Sequence, residues 1–442
     1  MLFAAAWLVP AWLPVFPVVL VGLGGILWLI RHPLAHLAVV LFGFVLILDY
    51  TEGISILELA FTAYYLTFLA AWYALRFACR LPVVIDWVDR VVIFFLIFLT
   101  ASLPLIFIFG ADVTVAISQW RSVCILAFYF PIKWVIRENP NGLKVMVVVF
   151  SGVVAFVSLR NFIWYFQALG DAEALWQIAT NRSTRQNERL LMLGMIGGLV
   201  FVLIYCTTWR QRILGFIFTS IPFAGIIVGQ SRTIWLAVML AMGVLFVLAS
   251  WRERMRMVGF GVLSFVVLSV AAVFLLNDLA TVVLSGLSSR LGSIGSAASS
   301  DISFINRLYE WRTALVASMD SPLIGRGFGV PYSFYNIIYS YTEVKHFSHS
   351  TYIGVFYRHG LVGLGCVLLL LGGSFTGGIR ALRAKQAGFD RAVNLACVVA
   401  LPAIALAATT EALLIPPDGN YAIMYVCALL AGVRYQQASH VG

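Results

Sequence analysis

Arg185, Arg189 and Arg232 are guanidinium groups flanking strongly apolar stretches, Arg307 lies in an amphipathic segment, and His346 and His349 lie three residues apart just before another apolar stretch. Several guanidinium groups on one face would suit a shared anionic ligand. An imidazole titrating near pH 6.5 is the usual general base for taking a proton from a hydroxyl. Two histidines three apart can also bind zinc on a helix, but no third ligand with suitable spacing accompanies them, and no CxxC or His/Cys cluster occurs. Plainer accounts exist. An arginine near a helix end can snorkel to lipid headgroups. Arg307 and Glu310 can form an ordinary surface pair, and a histidine at a membrane rim can be merely interfacial.

The elements that must hold these groups are membrane spans. The chain has 442 residues, of which 62% are hydrophobic and 11% charged, with a mean hydropathy of +0.97. Soluble domains sit nearer half apolar and a quarter charged. Apolar runs of about 18–20 residues, each enough to cross a roughly 30 Å hydrocarbon core, recur throughout. Candidate spans are 12–30, 34–50, 54–76, 91–110, 120–136, 143–167, 190–208, 212–229, 232–250, 257–277, 351–375, 391–411 and 420–435. Prolines 10, 14 and 17 interrupt the first, so the count is 12 or 13. No cleavable signal peptide is evident in residues 1–30.

Alternate connections are basic, which assigns them to the cytoplasm. The remaining connections, including 277–350, then lie outside it, and the C-terminus lies inside. The expected architecture is all-α and polytopic, with 12–13 transmembrane helices and one long helical periplasmic loop. Residues 1–277 form the first spans, 278–350 the loop, and 351–442 the last three spans with a short tail. The net charge of +10 resides mostly in the short connections, so it orients the protein rather than binding nucleic acid. The six cysteines stand singly in or beside apolar segments and read as small buried hydrophobes.

Within the loop, Ser303 is a candidate N-cap for a helix over 304–319, whose stripe Leu308, Trp311, Leu315 and Met319 is expected to be buried. The sequence GRGFG, holding Arg326, leads into VPY rather than a helix. It therefore reads as a hinge that folds the loop back over the membrane.

The order QSR at the head of a span, then NRLYEWRTAL and DSPLIGRGFG, then HSTYIGVFYRHGLVGL entering the next span, resembles the O-antigen ligase and O-antigen polymerase superfamily over about 230–365. The resemblance implies an integral-membrane, metal-independent glycosyltransferase at the periplasmic face of the bacterial inner membrane, without a cofactor. Its donor would be a glycan on undecaprenyl pyrophosphate. Its acceptor would be a sugar hydroxyl, on lipid A–core in ligases or on a second lipid-linked glycan in polymerases. Family roles fall on Arg232 and Arg307 as pyrophosphate-binding arginines and on His349 as the catalytic histidine. Arg185, Arg189, His346, Tyr309, Trp311 and Arg326 are further candidates for binding pyrophosphate or glycan. Where the family commonly shows His-Asn, this chain has His349-Ser350.

Charge arithmetic agrees with that role. Breaking a sugar–pyrophosphate bond builds negative charge, and an opposite charge about 4 Å away is worth roughly 4 kcal/mol at an effective dielectric near 20. A flippase for the same lipid would also use arginines, but it would need neither a rim histidine nor a one-sided loop. A purely structural subunit leaves the outside arginines unexplained. These motifs do not separate ligase from polymerase; the expectation adopted is a ligase, with a polymerase as the alternative.

Overall fold

A computed structural model describes residues 32–48, 55–170, 186–229, 231–276, 302–384 and 388–441. The candidate span 12–30 and Arg185 lie outside the described residues. The chain is an all-α polytopic membrane protein. Among the described residues, five helices are long and apolar enough to cross a membrane: Ile56–Ala78, Val113–Glu138, Gly142–Ala168, Thr351–Arg383 and Gly388–Thr410. Shorter apolar helices cover Pro33–Leu46 and Arg232–Leu248.

In chain order the helices are α1 (Pro33–Leu46), α2 (Ile56–Ala78), α3 (Trp87–Ala101), α4 (Leu105–Ile108), α5 (Val113–Val123), α6 (Tyr129–Glu138) and α7 (Gly142–Gly170). A 3₁₀ stretch, Cys124–Phe128, joins α5 to α6. They continue as α8 (Glu188–Ile204), α9 (Trp209–Gly229), α10 (Arg232–Leu248), α11 (Trp251–Leu276), α12 (Ile302–Ser318), α13 (Thr351–Arg383), α14 (Gly388–Thr410) and α15 (Pro417–Val441). The expected loop is not wholly helical. It carries a hairpin of β1 (Tyr332–Asn336) and β2 (Tyr341–Lys345), paired antiparallel with Tyr332 opposite Lys345. Tyr332, Phe334 and Asn336 turn inward and Tyr335 outward, the period-2 alternation of a half-buried strand.

Contacts at the helix ends gather the connections into two groups. At one end Arg76 pairs with Glu138, Arg391 with Glu253 and Arg434 with Asp86. At the other, Arg189, Ser231, Arg307 and Thr351 meet the turn Thr410–Glu411. In the first turns of α2 and α3, charges that an apolar interior would reject are paired: Glu58 with Arg121 at 2.9 Å, and Asp89 with Lys133, Asp89 also accepting from the Tyr129 hydroxyl. Cys366, Cys397 and Cys427 are buried, as expected. Cys79, at the end of α2 where the apolar stretch runs out, is instead exposed, and Cys124 and Cys206 are half-buried.

At about 50 Å, an unbroken α13 would overshoot a roughly 30 Å core. It is broken at Gly360, with φ 59° and ψ −161°. Asn394 of α14 donates to the Gly378 carbonyl and fixes the register of α13 against α14. Counting up from there at about 1.5 Å per residue, Gly360 and Glu411 each lie roughly 26 Å away, so the break falls level with the Glu411 rim. Its freed backbone groups pair with 322–327. Leu361 and Val362 donate to the carbonyls of Pro322 and Leu323, while Arg326 and Gly327 donate to those of Tyr357 and Arg358. Irregular backbone survives near a membrane only when paired in this way.

The first glycine of GRGFG follows from this docking, while Gly327 is pressed against Leu105 and Gly329 against Asp112 and Ala116. Gly325 has φ +75°, and a Cβ there would lie 2.3 Å from the Arg358 backbone. At Gly360, a Cβ would lie 2.2 Å from the Leu323 carbonyl oxygen. Gly325→Ala and Gly360→Ala should each lower thermal stability in detergent by about 1–3 kcal/mol. Gly365→Ala, where a Cβ meets nothing within 4 Å, should leave it unchanged or raise it by up to about 1 kcal/mol. Thermal unfolding of the three variants checks this.

Candidate functional site

α12 is amphipathic in the opposite sense to the expected one. Its buried stripe is Asn306, Glu310, Ala314 and Ser318, spaced four apart, while Leu308, Leu315 and Met319 are exposed and Trp311 is half-buried. The inward stripe is polar because it has partners. Asn306 accepts from the Ile337 amide at 2.9 Å, and Ala314 is small enough to let Tyr332, Phe334 and Tyr357 close on the helix. Ser303 lies inside the first turn, since the helix begins at Ile302.

Glu310 is fully buried, and its carboxylate points at His349. One oxygen accepts from the His349 amide at 2.7 Å, and the other is 2.6 Å from His349 Nδ1 and 3.4 Å from Lys345 Nζ. Burial alone would raise the Glu310 carboxyl. The hydrogen bonds from His349 and the Lys345 charge outweigh it and hold the carboxyl down at about 2. An ionised carboxylate only accepts, so Nδ1 must carry the proton. Nε2 is then left to act on something else, and about a third of the His349 side chain is exposed to receive it. The same geometry orients a catalytic histidine in acid–histidine dyads generally.

One helical turn away, Arg307 Nη1 donates to the Thr410 carbonyl at 3.1 Å. Arg232 opens α10 between two residues bound to the same turn: Ser231 reaches the Glu411 carboxylate at 3.4 Å, and Thr233 reaches the Thr410 hydroxyl at 2.7 Å. Two residues past His349, Thr351 donates its amide and hydroxyl to the Glu411 carbonyl. The Thr410–Glu411 turn therefore brings Arg232, Arg307 and the His349–Glu310 pair to one place. Arg189 is there too, but committed to two carboxylates, Glu411 at 2.9 Å and Asp418 at 2.7 Å.

The other sequence candidates stand apart from this centre. The His346 ring binds the Gly329 carbonyl at 3.0 Å, and Gln119 ties both residues together by bonding the His346 carbonyl and the Gly329 amide. His346 thus braces the loop on α5. Arg326 pairs with Asp320 and lies over the rings of Phe109 and Tyr357. Tyr309 faces outward, exposed on α12. Trp311 packs edge-on against Phe304, and its buried Nε1 has no partner among the described residues.

Glu310 as the partner of His349, and Glu411 and Asp418 as the partners of Arg189, were not singled out from sequence. For Glu310 a signal existed: a carboxylate on the same helix as Arg307, four residues before a small alanine and eight before a serine. For the other two, nothing local distinguished them from ordinary helix-end acids. Among the described residues, no group of three or more His, Cys, Asp or Glu is placed to hold a metal ion.

The Arg189–Glu411–Asp418 cluster is mostly shielded, so removing one member leaves charge uncompensated. Glu411→Ala should destabilise the chain by at least about 2 kcal/mol, since breaking a buried pair on one side is strongly unfavourable. Asp320→Ala, at the exposed end of its pair with Arg326, should cost well under about 1 kcal/mol. Thermal unfolding of the two variants side by side checks the contrast.

Residues 217–368, holding Arg232, Arg307, Glu310, His349 and Gly360, match the family model described as O-antigen ligase. No curated protein matches the chain. Arg189, the Thr410–Glu411 turn and Asp418 fall outside the matched stretch. Over the matched residues, about a third of the chain, the protein is similar to the O-antigen ligase and polymerase superfamily.

Proposed function

We propose that the protein is an O-antigen ligase. It would move a glycan from undecaprenyl pyrophosphate to a sugar hydroxyl of lipid A–core at the periplasmic face of the inner membrane, with its C-terminus in the cytoplasm. The observation that carries this reading is the buried Glu310 carboxylate holding His349 by Nδ1, one helical turn from Arg307. The family match over 217–368 supports it.

In this mechanism the acceptor hydroxyl gives its proton to His349 Nε2 as its oxygen attacks the anomeric carbon. The bond from that carbon to the pyrophosphate oxygen breaks on the opposite face, so the sugar inverts. The departing pyrophosphate gains negative charge, which Arg232 and Arg307 offset with fixed donors. Glu310 stabilises the imidazolium that forms and sets the tautomer beforehand. Arg189 acts as a brace that neutralises Glu411 and Asp418.

Purified enzyme with lipid-linked donor and lipid A–core acceptor, assayed over pH 5–9, tests this. His349→Ala should lose about 10²–10⁴ in rate with donor binding kept. Arg232→Lys and Arg307→Lys should recover only part of what the alanine variants lose, because a point charge replaces a fork. Lysine serving as well as arginine at both sites would rule out bidentate pyrophosphate binding.

The Glu310 carboxyl is depressed from 4.5 to about 2. Its contribution to stability is therefore complete above about pH 4.5 and is lost as the pH falls toward 2. Any acid limb between pH 5 and 9 must come from another group. Glu310→Gln, which keeps an acceptor but not the charge, should lower kcat and shift that limb while leaving KM for the donor near wild type. An unchanged pH profile would reduce Glu310 to a packing role. In a deletion strain, loss of surface polymer with lipid-linked polymer accumulating agrees with a ligase, whereas single-repeat products would make the enzyme a polymerase.

A further inference from the structure

α12 carries an exposed apolar face directly opposite the Glu310 stripe. Val316 is 66% and Met319 61% exposed, with Leu308 and Leu315 beside them, whereas Glu310 is 0% exposed. At 100° per residue, the buried stripe and these apolar positions fall on opposite halves of the helix. Arg312 is the exposed charge among them. Water on this face would leave a helix that is apolar outside and polar inside, the reverse of a soluble one.

The face also runs on into a lipid-facing surface. Leu323 and Ile324, which follow α12, are exposed beside Leu361, whose amide is bound to Pro322. Leu368 and Leu369 continue the exposed surface down α13. Since the α13 break lies level with the Glu411 rim, the segment after α12 sits at the boundary where spans leave the bilayer.

We propose that α12 is an interfacial helix whose Leu308–Leu315–Val316–Met319 face is embedded in the lipid leaflet on the Glu411 side. Helices of this kind lie in the membrane plane with the apolar face roughly 5–10 Å into the headgroup and acyl boundary. Arg312 would reach along the helix to a lipid phosphate. The bilayer then becomes the outer wall of the Glu310–His349 site, and α12 separates acyl chains from the histidine by the thickness of one helix. A lipid-linked molecule would approach His349 around this helix, without leaving the leaflet.

The test uses the full chain in phosphatidylethanolamine–phosphatidylglycerol vesicles containing a phospholipid with a diazirine at the end of one acyl chain. Irradiation and mass spectrometry should find adducts on the 308–319 stretch as well as on Leu368 and Leu369. Hydroxyl-radical footprinting from the water phase should spare Met319 and modify Tyr339, which is exposed at the hairpin tip. Labelling confined to Leu368 and Leu369, with Met319 oxidised as readily as Tyr339, overturns the proposal. So does protection of Met319 with chain-to-chain cross-links and no lipid adduct, which would assign the face to a second copy. Neither measurement needs transfer activity, so the outcome is independent of the reaction assigned above.

Discussion

The turn Thr410–Glu411 is the point on which this structure depends. The last carbonyls of a helix have no partner within it, and α14 ends where such groups cannot simply be left to water. Its terminal carbonyls draw Arg307 from α12 and Thr351 from α13, and its carboxylate draws Arg189 from α8 and Ser231 from the start of α10. A local shortage of donors is thereby converted into a meeting of four elements far apart in the chain. The grouping of arginines beside His349 follows from that demand.

Polarity on α12 is organised by the same economy. A buried carboxylate is costly unless several donors reach it, and Glu310 has three, from the amide and ring of His349 and from Lys345. β2 ends at Lys345, so the hairpin carries that cation to the carboxylate and leads the chain into His346–His349. The rigidity of the dyad thus rests on a strand pair, and the strand pair rests on the small contact at Ala314.

Much of this was legible in the sequence, for reasons that can be stated residue by residue. Arg232 stood out as a charge at the head of an apolar span, whereas Arg307 and His349 took their roles from the resemblance of NRLYEWRTAL and HSTYIGVFYRHGLVGL to the family. The membrane class followed from composition alone. The carboxylates did not stand out. Glu310 sits three residues from Arg307, which offers a ready neighbour, and only the folded loop brings His349 to it from 39 residues away. Glu411 and Asp418 look like ordinary helix-end acids until Arg189 arrives between them. The buried face of α12 was misread because the rule that places apolar residues inside presumes water outside. The five-residue strands were too short for their alternation to register against the helices around them.

The break at Gly360 bears on how the chain can be assembled. Its unpaired backbone groups are answered by 322–327, a segment that comes earlier in the chain. During synthesis, the partner for the broken helix therefore exists before the break itself is made. Other spans in this protein wait on later neighbours: Arg189 in α8 must hold unpaired charge until Glu411 and Asp418 follow more than 200 residues on. One side of the site can thus be completed as the chain emerges, and the other only when the last helix is in place.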